Sequence, residues 1–319
     1  MSAPRTRLAP SPTGALHLGN ARTFLINWAL ARQRGWAITL RIEDLDTPRT
    51  KPGADQQAIA DLHWLGLDYD AGPTWQKADL APYESALAHL ASRGLIYHCR
   101  CTRSQIEAAA AASAPHADDH ELRYPGTCRP DPLIPIAYRP ITDDEPGCFR
   151  LAVPDESIPF TDELAGPQSL NLHRHVGDFI VATRAGLPAY QLAVVIDDAR
   201  AGVTHIVRGD DLIASTPRQL LLYRLLALSP VPRYLHLPLV VGPDGRRLAK
   251  RHGDTRLSHY RDHGVPADRI IGLLAEWSGI GPRRPMSAAE FADQFDLSRL
   301  PRQRAVMTPE DDRWLLQST

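Results

Sequence analysis

The sequence predicts an α/β protein: a parallel sheet with helices on its faces, interrupted by a cysteine-bearing insertion and followed by a short helical unit. Three observations lead there. Strand-like and helix-like segments alternate through the first hundred residues, the signature of β-α-β connections. That alternation breaks at Tyr97-His98-Cys99-Arg100-Cys101 and resumes near Val176. Beyond Gly253 the apolar spacing is helical only, in pieces.

Each element has a local reason. Thr6 to Pro10 reads as a short strand entering the turn Ser11-Pro12-Thr13-Gly14, and a helix from about Asn20 to Arg34 is closed by Gly35. Trp36, Ile38, Leu40 and Ile42 alternate and end in Glu43-Asp44-Leu45-Asp46, a half-buried strand delivering carboxylates at its C-terminal end. Helices follow near Ala54 to Leu65 and Leu80 to Arg93. Ser104-Gln105-Ile106-Glu107 reads as a capping box opening an Ala-rich helix. A polar linker from Ser113 to His120 and proline-rich, extended chain to about Gly166 come next. Past Val176 the pattern gives a strand to Thr183, a turn at Ala185-Gly186-Leu187-Pro188, and an apolar segment from Tyr190 to Ile196 that fits helix or strand. Val203 to Arg208 reads as a strand, Ser215-Thr216-Pro217 as the cap of a helix through Leu228, and Leu235 to Val241 as a strand. Helical pieces at Arg269 to Trp277 and Ala288 to Phe295 complete the chain. The expected organisation is therefore 1–98 and 170–253 as two halves of one α/β domain, 99–169 as an insertion, and 254–319 as a helical region.

Composition narrows the class of function. With 319 residues, 43% hydrophobic and 23% charged, the chain is ordinary for a globular protein, and no apolar run is long enough to span a bilayer. Pro10 and Pro12 break any signal-like stretch at the N-terminus, so a cytoplasmic location without membrane association is expected. The 36 basic residues are balanced by 37 acidic ones, which argues against coating nucleic acid through bulk electrostatics. Four cysteines, Cys99, Cys101, Cys128 and Cys148, lie within fifty residues, and clustered thiols in a reducing compartment suggest a metal before a disulfide.

Two glycine-bounded segments carry the chemistry. In Arg7-Leu8-Ala9-Pro10-Ser11-Pro12-Thr13-Gly14-Ala15-Leu16-His17-Leu18-Gly19-Asn20, a proline-stiffened loop ends at a histidine where a helix begins. Free N–H groups and an imidazole then face one point suited to a phosphate, and Gly19 permits close approach of a nucleotide. Alone, a His-x-Gly of this kind is more often a plain strand-to-helix turn. The second segment, Gly242-Pro243-Asp244-Gly245-Arg246-Arg247-Leu248-Ala249-Lys250-Arg251-His252-Gly253, places four cations in six residues on a loop able to close over polyphosphate. Alone, it too reads as a solvated turn; the two together carry more weight.

Those segments, with Arg41-Ile42-Glu43-Asp44-Leu45-Asp46-Thr47 and Val203-Thr204-His205-Ile206-Val207-Arg208-Gly209-Asp210-Asp211-Leu212, resemble the catalytic core of glutamyl-tRNA synthetases, in the same order from Arg7 to Lys250. These are class I enzymes with a Rossmann-type sheet and loops of the HIGH and KMSKS kind. The short region 254–319, with no room for an anticodon-binding domain, and a Cys-x-Cys…Tyr-x3-Cys pattern are similar to the shorter glutamyl-Q tRNA(Asp) synthetase family. The resemblance implies activation of L-glutamate with ATP and Mg²⁺ without tRNA, then transfer of glutamate to the queuosine base in the anticodon of tRNA(Asp). It departs at Asn20, where the HIGH-type box ends in histidine, and at Ala249, where the KMSKS-type box has serine.

The resemblance also implies roles that the chemistry justifies. His17 and Lys250 stabilise charge at the α-phosphorus, with Gly19 and Asn20 completing the ATP site. Arg7 and Arg208 meet the substrate carboxylates, Glu43 its ammonium, and Tyr190 and Ser11 supply hydrogen bonds. Glu43 by itself would read as a salt-bridged surface acid. Cys99, Cys101, Tyr124 and Cys128 are the implied ligands of one structural zinc, with His98, His116 and His120 as nearby substitutes and Cys148 as an ordinary apolar residue near a strand start. By charge alone Arg246, Arg251, Arg283, Arg284, Arg302 and Arg304 are candidates for RNA contact, and a monomer is expected. Three rivals share parts of the pattern: a glutamyl-tRNA synthetase core charging tRNA(Glu), a small-molecule adenylate-forming ligase or nucleotidyltransferase, and a non-catalytic synthetase copy that binds RNA.

Overall fold

A computed structural model describes residues 3–46, 49–112, 123–142, 144–246, 248 and 254–317. It divides into two compact units, Met1–Trp75 with Val203–Ile213 and Pro232–Thr319, and Gln76–Gly202 with Ala214–Val231.

In the first unit β1 (Arg5–Leu8), α1 (Leu18–Arg34), β2 (Ala37–Ile42), α2 (Ala54–Trp64) and β3 (Ala71–Trp75) follow one another as the alternation predicts. β1 and β2 run parallel with Arg5 opposite Ala37 and Leu8 opposite Leu40, and β3 joins β2 in parallel. α1 buries Leu18, Ala21, Leu25, Ile26, Ala29 and Leu30. Asn27, also buried, ties the helix to β1: its Oδ1 accepts from Thr6 Oγ1 at 2.9 Å and its Nδ2 donates to the Arg7 carbonyl at 2.9 Å. Gly35 ends α1 at φ 66°, a left-handed position that a side chain would strain, with its N–H on Ala31 O.

The second unit contains α3 (Ala81–Ser92), β4 (Ile96–Cys99), α4 (Arg103–Ala112), β5 (Cys148–Leu151), β6 (Ser157–Asp162), β7 (Gly166–Asn171), α5 (Leu172–His175), β8 (Phe179–Ala182) and α6 (Tyr190–Arg200). β4, β5 and β8 form an antiparallel sheet, with Cys99 opposite Cys148. Part of the stretch read as extended connection is thus strand: β5 lies within it, and β6 and β7 pair as a hairpin with Pro159 opposite Ser169 and Pro167 opposite Thr161. Proline density masks the alternation that would have marked these strands.

Two local expectations change and one open reading is settled. The box that opens α4 uses Thr102 and Gln105, not Ser104 and Glu107: Thr102 N donates to Gln105 Oε1 at 2.8 Å, and Gln105 N donates to Thr102 Oγ1 at 3.3 Å. Glu107 instead meets Arg103 at 2.9 Å. The segment from Tyr190 is helical, with Asp197 of α6 accepting from Tyr83 Oη and Gln76 Nε2, each at 2.7 Å. Ser215 forms no side-chain cap for the helix it precedes; its Oγ accepts from Gln191 Nε2 at 3.0 Å.

The chain re-enters the first unit at β9 (His205–Gly209), and after α7 (Thr216–Leu225) of the second unit returns through β10 (Arg233–Leu237) and β11 (Val240–Val241) to α8 (Leu257–Asp262), α9 (Ala267–Trp277), α10 (Ala288–Gln294), β12 (Ala305–Val306) and α11 (Pro309–Leu316). The expected strand to Val241 is two, because Pro238 interrupts the ladder; its carbonyl accepts from buried Arg22 at 2.7 Å. β9 and β10 run parallel, His205 opposite Arg233. Thr204 N donates to Arg5 O at 2.8 Å and Arg5 N to Thr204 Oγ1 at 2.8 Å, which sets the start of β9 beside β1. β9, paired with β10, thus lies beside β1 of the three-stranded β1-β2-β3 sheet, a Rossmann-type arrangement whose topological switch point falls between β1 and β9. Ligands of such sheets bind outside the carboxyl ends of the strands at that point.

Candidate active site and metal centre

Leaving β1, the chain reaches the N-terminus of α1 at the switch point. His17 is the N-cap: its Nδ1 accepts from Gly19 N at 3.1 Å, and Asn20 Oδ1 accepts from His17 N at 3.3 Å, a reciprocal box built from an imidazole and an amide. Asn20, a departure from the HIGH-type pattern, therefore has a structural task. A Cβ on Gly19 would lie 3.0 Å from the His17 ring and 3.6 Å from Val240 Cβ. The absent side chain leaves room for the imidazole and for β11.

Both roots of the basic loop lie against this helix start. On the entry side β11 packs at Gly19; on the exit side Leu18 N donates to Thr255 O at 3.0 Å and Leu257 N to Leu16 O at 2.8 Å, so that His17 pairs with Arg256. The loop begins as a turn in which Gly242 N donates to Arg246 O at 2.8 Å. Leu248 is buried. Lys250, with Arg247, Ala249 and Arg251, lies outside the described residues.

Residues at the strand ends converge in part. Arg7 on β1 and Arg208 on β9 are both buried. Glu43, just past β2, accepts from Arg41 Nη2 at 3.0 Å and from Ser11 Oγ at 3.5 Å, and its N–H donates to Pro10 O at 3.0 Å. Arg41 is a site residue that the sequence reading passed over; its place two residues before Glu43 on the same strand face was the available signal. Arg208 Nε donates to His236 Nε2 at 3.0 Å and its Nη2 to Leu212 O at 3.3 Å. Tyr190 opens α6 in the second unit and is exposed.

The cysteine cluster lies wholly in the second unit. Cys99, Cys101 and Cys128 place their sulfurs within 4.8 Å of one another, and Tyr124 Oη stands 3.3 Å from Cys99 Sγ and 3.8 Å from Cys101 Sγ. A tetrahedral zinc about 2.3 Å from each thiolate needs sulfurs roughly 4 Å apart, so three sulfurs and a phenol oxygen fit such an ion. Tyr124 is held by its N–H on Val176 O at 3.0 Å, beside Gly177 at φ 71°, where a Cβ would lie 2.2 Å from Tyr124 O. Cys128 N donates to Tyr124 Oη at 2.8 Å.

The surroundings favour a thiolate at Cys99. Its pKa is pushed down to about 3 by a hydrogen bond from Cys148 and others from Tyr124 and Arg150, against the opposing effect of burial. Burial pushes Cys101 and Tyr124 the other way, and Cys148, which gives up its bond to Cys99 if ionised, is raised as well. Cys148 begins β5 as expected, but as a hydrogen-bond partner of the cluster. His98 packs against Phe149 at 5.6 Å between ring centroids, away from the sulfurs, and His116 and His120 lie outside the described residues.

Three of the six candidate RNA-contacting arginines spend their charge locally. Arg283 pairs with Glu276 at 2.7 Å and Asp311 at 2.6 Å, Arg284 with Glu290 at 2.6 Å, and Arg304 with Asp210 at 3.4 Å. Among the described residues no helix is long and apolar enough to cross a membrane.

Residues 4–311 match the family described as tRNA synthetases class I (E and Q), catalytic domain, and the chain belongs to that family of ligases. Its activity is that of a glutamate ligase of the glutamyl-tRNA synthetase type, and ATP with Mg²⁺ is general to the class. Within the family the chain is 46% identical over 330 residues to a glutamyl-Q tRNA(Asp) synthetase of Rhodopirellula baltica, covering 96% of this chain and 97% of that one. A protein of the same name from Symbiobacterium thermophilum is 48% identical over 308 residues, covering 93% and 94%. A crystal structure of a glutamate tRNA ligase from Elizabethkingia meningosepticum in complex with its amino acid superposes with a TM-score of 0.78 at 26% identity, over 98% of this chain and 69% of that one.

Proposed function

We propose that this chain activates L-glutamate with ATP, without tRNA, and transfers it to the queuosine base in the anticodon of tRNA(Asp). One observation carries the first half: both roots of the basic loop are bonded or packed against the His17 cap at the switch point, so an imidazole and the two described ends of the segment that bears Lys250 share one end of the sheet. The full-length likeness to proteins named for the second half supports the acceptor.

In activation the substrate α-carboxylate attacks the α-phosphorus of ATP, a C–O–P anhydride forms, and pyrophosphate departs in line. His17 and Lys250 stabilise the charge that builds at phosphorus, and the N-terminus of α1 with Gly19 and Asn20 seats the nucleotide. Mg²⁺ bound with ATP would supply positive charge that offsets the departing phosphate oxygens. Arg7 and Arg208 bind the carboxylates of glutamate. Glu43 offers its carboxylate to the ammonium while Arg41 and Ser11 hold it in place, and Tyr190 adds a hydroxyl. Cys99, Cys101, Tyr124 and Cys128 hold a structural zinc that cross-links the segment 99–169, an insertion between the two halves of the catalytic fold. The enzyme works in the cytoplasm as a monomer.

Glutamate-dependent exchange between pyrophosphate and ATP in the absence of tRNA tests the first step. Lys250→Ala should slow it on the order of a hundredfold, because it removes transition-state charge. Radioactive glutamate, ATP and bulk tRNA then test the second: label on the queuosine nucleotide of tRNA(Asp) is expected. Label at the periodate-sensitive end of tRNA(Glu) would overturn the proposed acceptor, and absent exchange would overturn catalysis.

A further inference from the structure

We infer that His236 is a positioning residue for glutamate activation: it fixes the orientation in which the Arg208 guanidinium meets a substrate carboxylate. The inference rests on the proposed role of Arg208. His236 stands directly opposite Arg208 in the parallel β9–β10 register, and both side chains are buried. Arg208 Nε donates to His236 Nε2 at 3.0 Å. A guanidinium has donors only, so Nε2 must accept, and the imidazole is the neutral tautomer with its proton on Nδ1.

The choice of partner matters for an anion site. A carboxylate opposite Arg208 would orient the guanidinium but would also cancel the charge that a substrate carboxylate needs. His236 and the Leu212 carbonyl, 3.3 Å from Nη2, are neutral acceptors that fix its orientation and add no opposing charge of their own. A second contact stiffens the arrangement. Tyr234, two residues along β10 on the same face, lies parallel to the His236 ring at 5° with centroids 6.1 Å apart, and Arg208 Cζ stands 5.4 Å from the Tyr234 ring centroid. Imidazole and phenol together hold the guanidinium at the carboxyl end of β9, beside the switch point.

Pyrophosphate exchange with glutamate and ATP varied separately tests the assignment. His236→Leu removes the acceptor and should raise the KM for glutamate about tenfold or more, leaving the KM for ATP near its starting value. His236→Gln can place Oε1 close to the lost Nε2 and should restore the glutamate KM to within about threefold. Should the leucine variant fail to fold, His236→Asn, whose shorter amide cannot reach Arg208 Nε, carries the same test. Arg208→Ala run in parallel separates the two readings. If it raises the glutamate KM while the folded leucine or asparagine variant does not, the role of His236 is overturned and the pocket stands; if Arg208→Ala leaves the glutamate KM unchanged, the pocket reading fails and this inference with it. Equal rises in both KM values, without rescue by glutamine, would reduce His236 to a packing residue.

Discussion

Arg150 is a buried cation whose placement makes sense only beside a cluster of anions. Its Nε donates to Cys99 Sγ at 3.3 Å, its Cζ lies 3.8 Å over the Tyr124 ring, and its Nη1 donates to the Asp178 carbonyl at 2.8 Å. Three thiolates around a divalent ion leave net negative charge in a site largely shielded from water, and a fixed guanidinium offsets it while orienting two of the donors. Arg150→Met should therefore lower zinc affinity about 10–100-fold, read by competition with a chromophoric chelator. Arg150→Lys, which keeps the charge but cannot stack and donate together, should recover part of the loss. Unchanged affinity in the methionine variant would show that the donors are held by their own backbone. Nothing in Cys148-Phe149-Arg150-Leu151 announced this role, since a strand arginine acquires it only when β5 pairs with β4. His236 escaped notice for the same reason, its partner being 28 residues away on a neighbouring strand.

At the scale of elements, what the sequence made legible was local. Gly35 marks the end of α1 because a left-handed cap needs glycine, and the alternation from Trp36 marks β2 because one strand face is buried. Where two local solutions compete, the pattern was silent: Thr102 with Gln105 and Ser104 with Glu107 satisfy the same spacing, and the structure uses the pair whose rival acid is drawn off by Arg103. The start of α1 was placed two residues late because histidine is an uncommon N-cap. That cap supplies a test of the element. Gly19→Ala would bring a methyl 3.0 Å from the His17 ring, so the imidazole must give by a few tenths of an ångström and its cap loosens. Because the helix has the rest of its buried face to hold it, stability should fall by only about 1 kcal/mol, whereas pyrophosphate exchange should drop at least about tenfold. Thermal unfolding and exchange kinetics on one preparation distinguish the two effects, and a variant with full exchange activity would remove His17 from the phosphate site.

At the scale of the whole chain, the two units should answer differently to metal. The first rests on parallel strands with α1 and the helices after β11, and the cysteine cluster belongs to the other unit. In the second, Tyr97, Cys99, Ile106, Tyr124, Cys148 and Ala152 form a small apolar group, with Cys101, Cys128 and Leu133 packed at its edge. A core of that size supplies little of the free energy needed to order the long connection between α4 and β5, and a bound ion adds stability by mass action only where it binds. Removing zinc with a strong chelator should therefore speed amide exchange at β4, β5 and residues 123–133, while β1, β2, α1 and β9 keep their protection. Hydrogen exchange read by mass spectrometry with and without zinc resolves the pattern. Loss of protection spread evenly through both units would mean that the ion supports the entire chain, and no change anywhere would mean that the three sulfurs and the phenol hold their positions without it. Confinement to the second unit also predicts that exchange between pyrophosphate and ATP, assayed with a zinc-selective chelator and Mg²⁺ in excess, outlasts loss of zinc to the extent that the first unit carries the ATP site.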